Sequence, residues 1–304
     1  MRSEKEMMEL ILSTAREDER IRYVVMNGSR ANPEAKADIF QDYDIVYGVT
    51  RLADFIEDPH WIDRFGNILV MQMPDTTRIY PGEVRKGAFA YLMQFTDGNR
   101  MDLTLVSPEK TDEYVGRDSQ TIVLLDKDGI LPKVGRPSDR DYWIKPPTAK
   151  EFSDSCNEFF WVSPYVAKGL WRGEMPYALE MLNVPVREML VRMLEWHIGI
   201  QYDFKVSAGK AGKNFERYLE PELFAAYLAT YPAAHREAVW DSLMAMQRLF
   251  NRLAREIARY FDYPYPEEDS RRVFLHLEHV RALPKDAEVL YTKDETRRLF
   301  GEME

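Results

Sequence analysis

Cysteine is almost absent from this chain of 304 residues, with Cys156 standing alone. One thiol excludes an intramolecular disulfide and any metal centre built on clustered cysteines. Histidine is scarce as well, at five residues, and only His276 and His279 fall within a helical turn of each other, with no third ligand evident. No apolar run approaches the roughly 20 residues that a bilayer-spanning helix requires, so no membrane association is expected. The first 20 residues carry acidic side chains through their short apolar stretch, unlike a secretory leader, and the expected location is cytoplasmic. There is no Gly-Lys-Ser or Gly-Lys-Thr step, which excludes a Walker-type phosphate loop. Positive charge is also in deficit, with 41 Lys and Arg against 51 Asp and Glu, a net charge of -10. Affinity for a nucleic-acid polymer comes largely from Lys and Arg neutralising phosphates, so no nucleic-acid partner is expected. An acidic surface suits a cationic small molecule, although solubility alone is the ordinary reason for such a balance.

What is present is a folded-protein composition, 45% apolar and 30% charged, at a length better divided into two domains than gathered around one core. The stretch from Tyr23 to Tyr47 holds an apolar run, a Gly28-Ser29 step, a polar connection and a second apolar run that opens with Asp42-Tyr43-Asp44. In a strand, alternate side chains share a face, so Asp42 and Asp44 point one way while Tyr43 and Ile45 enter the opposite layer. At ~4 Å and an effective dielectric of ~20, two such charges repel by about 4 kcal/mol, which calls for a proton, a cation or full solvation. A hard divalent cation such as Mg2+ takes oxygen ligands and leaves positions for substrate phosphates. Taken alone, Asp-x-Asp is most often a solvated turn. Here a third aspartate, Asp102, recurs in the apolar run Arg100–Val106, with Met101, Leu103 and Leu105 on the other face. Gly28 and Ser29 offer backbone N–H groups and a hydroxyl where a phosphate can approach closely, a reading that only the carboxylates downstream favour over a plain turn.

Along the chain, residues 4–18 read as an amphipathic helix on the spacing of Met7, Leu10, Ile11 and Ala15, and 21–26 as the first strand. Residues 52–65 read as helical with an interruption near Pro59, and 67–73 and 121–125 as strands. The runs 88–95 and 100–106 flank Thr96-Asp97-Gly98-Asn99, an Asp-Gly hairpin turn expected to carry Asp102 into the sheet beside Asp42 and Asp44. Asp126-Lys127-Asp128-Gly129 lacks the ligand alternation of a calcium loop and reads as a turn. The Pro- and Gly-rich stretch 131–147 is the expected linker. Beyond it the period is helical, with helices expected over 176–203, perturbed near Pro185, and over 214–230 and 234–261; the Gly- and Lys-containing segment 209–213 reads as a helix connection. In the helix that follows the linker, Phe152, Cys156, Phe159, Val166 and Leu170 form an apolar stripe. Asp154, Glu158, Trp161, Tyr165, Lys168 and Arg172 form a second stripe that, beside a carboxylate cluster, could hold a sugar between Trp161 and Tyr165 and a phosphate on Lys168.

The combination of Gly28-Ser29-Arg30, Gln41-Asp42-Tyr43-Asp44-Ile45-Val46-Tyr47 and Arg100-Met101-Asp102-Leu103-Thr104-Leu105 resembles the DNA polymerase beta-like nucleotidyltransferase superfamily. Within it the chain is similar to the aminoglycoside 6-adenylyltransferases, the streptomycin-modifying branch. The likeness extends through Cys156–Ser163, Tyr165–Arg172 and Gly209–Lys213.

The resemblance implies an α/β nucleotidyltransferase domain with a mixed β-sheet flanked by helices over residues 1–145, and an all-α C-terminal helical bundle that binds substrate over 146–304. It implies AMP transfer from ATP, as co-substrate, to the 6-hydroxyl of streptomycin, releasing pyrophosphate and conferring antibiotic resistance. Asp42 and Asp44 are the expected Mg2+ ligands, and Asp102 completes the metal site, serves as general base, or both. Gly28, Ser29, Arg30 and Lys168 are the expected nucleotide contacts, and Glu158, Trp161 and Tyr165 the expected aminoglycoside contacts, with the active site between the domains. Two other readings stay open. One is a nucleotidyltransferase acting on a protein or RNA acceptor; the other is a non-catalytic nucleotide-binding protein, against which the third carboxylate weighs.

Overall fold

A computed structural model describes residues 1–33, 35–58, 60–77 and 87–301. The chain forms two compact units, Met1–Asp141 and Tyr142–Glu304.

The first unit opens with α1 (Glu4–Glu17), which Ser3 and Glu6 start through a reciprocal capping box and which buries Met7, Ile11 and Ala15. The strands are β1 (Ile21–Asn27), β2 (Tyr43–Val49), β3 (Ile68–Gln72), β4 (Ala88–Phe95), β5 (Arg100–Val106) and β6 (Thr121–Asp126). They form one mixed sheet in the order β3-β4-β5-β2-β1-β6. The β2 and β5 strands run parallel, while the other neighbours are antiparallel. The mixed sheet with helical elements is the fold class expected from the sequence. Gly98, at φ 90°, turns the β4–β5 hairpin where the Asp-Gly step predicts it. Tyr43, Ile45, Tyr47, Met101, Leu103 and Leu105 are buried in one apolar cluster with Met7 and Ile11. The Tyr47 hydroxyl donates to the Ile11 carbonyl at 2.7 Å, satisfying its one polar atom inside that core.

The expected helix over 52–65 is instead two short pieces, α2 (Ala53–Ile56) and a 3-10 turn at Trp61–Phe65. The interruption expected at Pro59 lies outside the described residues. Phe55, Trp61 and Phe65 interlock edge to face there, at ring separations of 5.0 and 5.8 Å, so aromatic packing fixes this segment. A single turn, α3 (Thr111–Tyr114), precedes β6. After β6, Asp126 accepts backbone N–H bonds from Asp128, Gly129 and Leu131, the expected turn.

The second unit is helical: α4 (Ala149–Arg172), α5 (Met175–Met181), α6 (Arg187–Gln201), α7 (Phe215–Tyr218), α8 (Pro221–Leu228), α9 (Arg236–Phe261), α10 (Glu267–Ala282) and α11 (Lys293–Phe300). Phe159 of α4 stacks on Phe250 of α9 at 3.7 Å between ring centroids. The apolar stripe of Phe152, Cys156, Phe159, Val166 and Leu170 is buried in this core. A π turn at Leu182–Val186 contains Pro185, whose missing N–H accounts for the perturbation expected there. The expected helix 214–230 breaks at Leu219, which is extended, and at Glu220, which precedes Pro221 and is steered out of the helical region. Sequence periodicity showed neither α10 nor α11 as whole helices. Their exposed faces are densely charged and leave only short apolar stripes, Leu277 and Val280 being the buried apolar residues of α10. Among the described residues, no helix is long and apolar enough to cross a membrane.

Candidate active site

Asp42, Asp44 and Asp102 each offer a carboxylate oxygen within 4.8 Å of the others, and all three are half-buried. Among the described residues this is the one group of three or more His, Cys, Asp or Glu side chains with the geometry to hold a metal ion. Sheet register creates it. Asp44 of β2 and Asp102 of β5 are direct partners across the parallel pairing. Asp42 lies two residues ahead on the same face, because Tyr43 and Ile45 are drawn into the core. Burial, then the negative charges of Asp42 and Asp102, push the Asp44 carboxyl up from its ordinary value of 3.8 to about 7, with Arg100 opposing the rise. An all-oxygen donor set this close, with one member reluctant to ionise alone, fits a hard divalent cation.

The turn after β1 backs directly onto this cluster. Gly28 sits at φ 72°, and a Cβ there would lie 2.0 Å from Asp44 Oδ2. Only glycine satisfies both the left-handed backbone and the close approach. The Ala31 N–H donates to the Gly28 carbonyl and the Asn32 N–H to that of Ser29, closing the turn. The Ser29 hydroxyl accepts from the Gln41 amide at 3.5 Å. Arg30, expected at the nucleotide, lies over the Tyr43 ring at 3.9 Å and donates to the carbonyls of Gln41 and Asp42. Its guanidinium therefore tethers the segment that presents Asp42. Glu4 pairs with its remaining arm at 3.4 Å.

Sequence reading missed Arg100. Its Nε and Nη2 donate to the two oxygens of Asp102 at 2.9 and 2.7 Å, and Nε lies 3.6 Å from Asp42. The signal was available, since a residue two positions before Asp102 shares its strand face.

On the helical unit, the expected polar stripe is exposed along α4. Trp161 is 64% exposed, with Tyr165 edge-on at 6.3 Å. Lys168 Nζ sits over the Tyr165 ring at 4.6 Å and near Tyr177 at 6.0 Å, so in this structure it rests on aromatic faces. Glu158 is exposed, and Asp154, one turn earlier, pairs with Lys150. His276 and His279 engage the Tyr291 hydroxyl and the Leu290 carbonyl, fastening the segment before α11.

The chain matches known proteins over most of its length. The family model described as streptomycin adenylyltransferase matches residues 1–280. Aminoglycoside 6-adenylyltransferases from Bacillus subtilis (strain 168) and Campylobacter jejuni are 42% and 41% identical, covering 88% and 89% of this chain and 95% and 93% of their own lengths. That from Staphylococcus aureus is 35% identical, over 88% of this chain and 94% of its own. A crystal structure of an aminoglycoside 6-adenyltransferase from Bacillus subtilis is 37% identical, covers 93% of this chain and all of its own, and superposes with a TM-score of 0.47. On the extent of the family model and the identity of the three aminoglycoside 6-adenylyltransferases, the chain belongs to the streptomycin adenylyltransferase family of nucleotidyltransferases.

Proposed function

We propose that the protein is an aminoglycoside 6-adenylyltransferase that transfers AMP from ATP to the 6-hydroxyl of streptomycin in the cytoplasm, releasing pyrophosphate. The observation that carries the chemistry is the trio Asp42, just ahead of β2, Asp44 in β2 and Asp102 in β5, with their oxygens within 4.8 Å. For the acceptor, support comes from the family description, the relatives' names and the excess of carboxylates, which suits guanidino groups.

Asp42, Asp44 and Asp102 would hold Mg2+. The chemistry that ion would supply when bound is neutralisation of the triphosphate charge as the adenylyl group transfers. Gly28 lets the phosphates approach the backbone beside Asp44, and the Ser29 hydroxyl hydrogen-bonds them. Arg30 keeps the chain ahead of β2 in place, so that Asp42 stays aligned with Asp44. Asp102 accepts the proton of the attacking 6-hydroxyl; the oxygen forms a bond to the α-phosphorus, and pyrophosphate leaves with the electron pair of the bond that breaks. From the helical unit, Lys168 contacts phosphate, Trp161 and Tyr165 form a ring platform, and Glu158 accepts from a guanidinium. Kanamycin and gentamicin carry ammonium groups instead, which lack the planar fork that a carboxylate grips at two points.

The test is incubation with ATP, Mg2+ and a panel of aminoglycosides, read by mass spectrometry. Streptomycin should gain one AMP, while kanamycin and gentamicin gain little or none. Modification of kanamycin as efficient as that of streptomycin would refute the acceptor assignment. Absence of both adenylylated product and pyrophosphate would refute the reaction.

A further inference from the structure

Three carboxylates crowd one strand face, yet one cation already stands among them. Arg100 Nε and Nη2 grip the two oxygens of Asp102 in a fork, and Nε is also within ion-pair distance of Asp42. The Arg100 side chain is 47% exposed, and among the described residues its hydrogen-bond and ion-pair partners are these aspartates alone. Among the described residues nothing else anchors the guanidinium in this position, so rotation of this long, flexible side chain releases it to water.

We infer that Arg100 is a place-holder for the divalent cation: it fills the carboxylate cluster when no metal is bound and is displaced when metal arrives. The inference rests on the reading of Asp42, Asp44 and Asp102 as a cation site. The oxygens that Arg100 occupies on Asp102 are those a metal would use, and a divalent ion beside a guanidinium on the same oxygens is repelled by it. Arg100 thus acts through the aspartates, as a positioning residue. It keeps the empty cluster tolerable and Asp102 in one orientation, and it lowers affinity for bare metal, so that stable occupancy favours metal arriving with the triphosphate's own negative charge.

The experiment measures binding of Mn2+ alone, without nucleotide, by the loss of its free-ion paramagnetic resonance signal, together with melting of metal-free and Mn2+-saturated protein. Arg100→Gln should bind Mn2+ on the order of tenfold more tightly, the effect expected from removing one neighbouring positive charge. It should melt lower than the native protein without metal but gain more on saturation. Arg100→Lys, which keeps the charge and loses the fork, should stay within about threefold of native affinity. Equal or weaker Mn2+ binding by Arg100→Gln overturns the inference. So does binding by Arg100→Lys as tight as that of Arg100→Gln, since that would exclude charge competition. Failure of the native protein and both variants to bind Mn2+ at all would instead overturn the cation-site reading on which the inference stands.

Discussion

Asp44→Asn separates the role of this carboxylate in chemistry from its role in stability. In the unfolded chain Asp44 ionises near its ordinary value of 3.8, and in the folded chain near 7. Between those values the folded state keeps a proton that the unfolded state has lost, so stability falls as pH rises from about 4 through 7 and levels above about 8. Each neighbouring carboxylate within 4.8 Å opposes ionisation by about 3 kcal/mol at an effective dielectric of ~20. Arg100 offsets part of this. The displaced pKa corresponds to roughly 4 kcal/mol at full ionisation, of which roughly 1–3 kcal/mol should appear between pH 5 and pH 8 after solvent screening is allowed for. Asparagine has nearly the same shape and no charge, so the variant should lack this slope and, free of metal at pH 8, should be more stable than the native protein by a similar amount. Urea unfolding in the presence of a chelator, followed through amide exchange in β2 and β5, reports the sheet unit directly. Adding Mg2+ should stabilise the native protein and leave the variant nearly unmoved, and adenylyl transfer by the variant should be almost abolished. A variant with the native pH slope would refute the electrostatic account, and near-normal turnover would refute the metal role.

Asp102→Asn should lose at least ~10^2-fold in turnover and alter the pH–rate profile if this residue is the base, and an unchanged rate and profile would dismiss that role. Gly28→Ala forces a methyl to within 2.0 Å of Asp44 Oδ2 at a positive φ; a loss of about 1–3 kcal/mol in chemical unfolding and weaker Mn2+ binding are expected, and a neutral result would show that the turn can move away. Lys168→Ala should weaken ATP binding in calorimetry while leaving streptomycin binding without nucleotide much as before; the reverse pattern would reassign the residue. Glu158→Gln should raise the KM for streptomycin more than it changes ATP use, which steady-state kinetics with each substrate varied in turn would reveal.

Much of the sheet unit was legible because its signals are local. The β4–β5 hairpin announces itself by alternation on both sides of an Asp-Gly step, and Asp42 and Asp44 by their alternate spacing at the head of one apolar run. Parallel register was not legible. That Asp44 meets Asp102 directly depends on pairing between distant segments, which no single window of sequence contains. The same limit hid the Arg30 tether and the Arg100 pairing, since each is decided by what the fold sets opposite the side chain. Segment 52–65 failed for another reason, because three aromatic rings packing against one another override a weak helical period. In the helical unit, α4 and α9 were visible from their long apolar stripes, whereas α10 buries too few apolar residues to show a period.

Because β2 and β5 run parallel, no tight turn can join them, and residues 50–99 must cross over before the two strands meet. Closing so long a loop is slow compared with zipping the β4–β5 hairpin, so the hairpin should form early and β2 should dock onto it late. The docking step is the one that brings Asp44 against Asp102. The carboxylate cluster is therefore completed only as the centre of the sheet closes, and a half-made chain, even one with its hairpin formed, has the carboxylates but not their cluster.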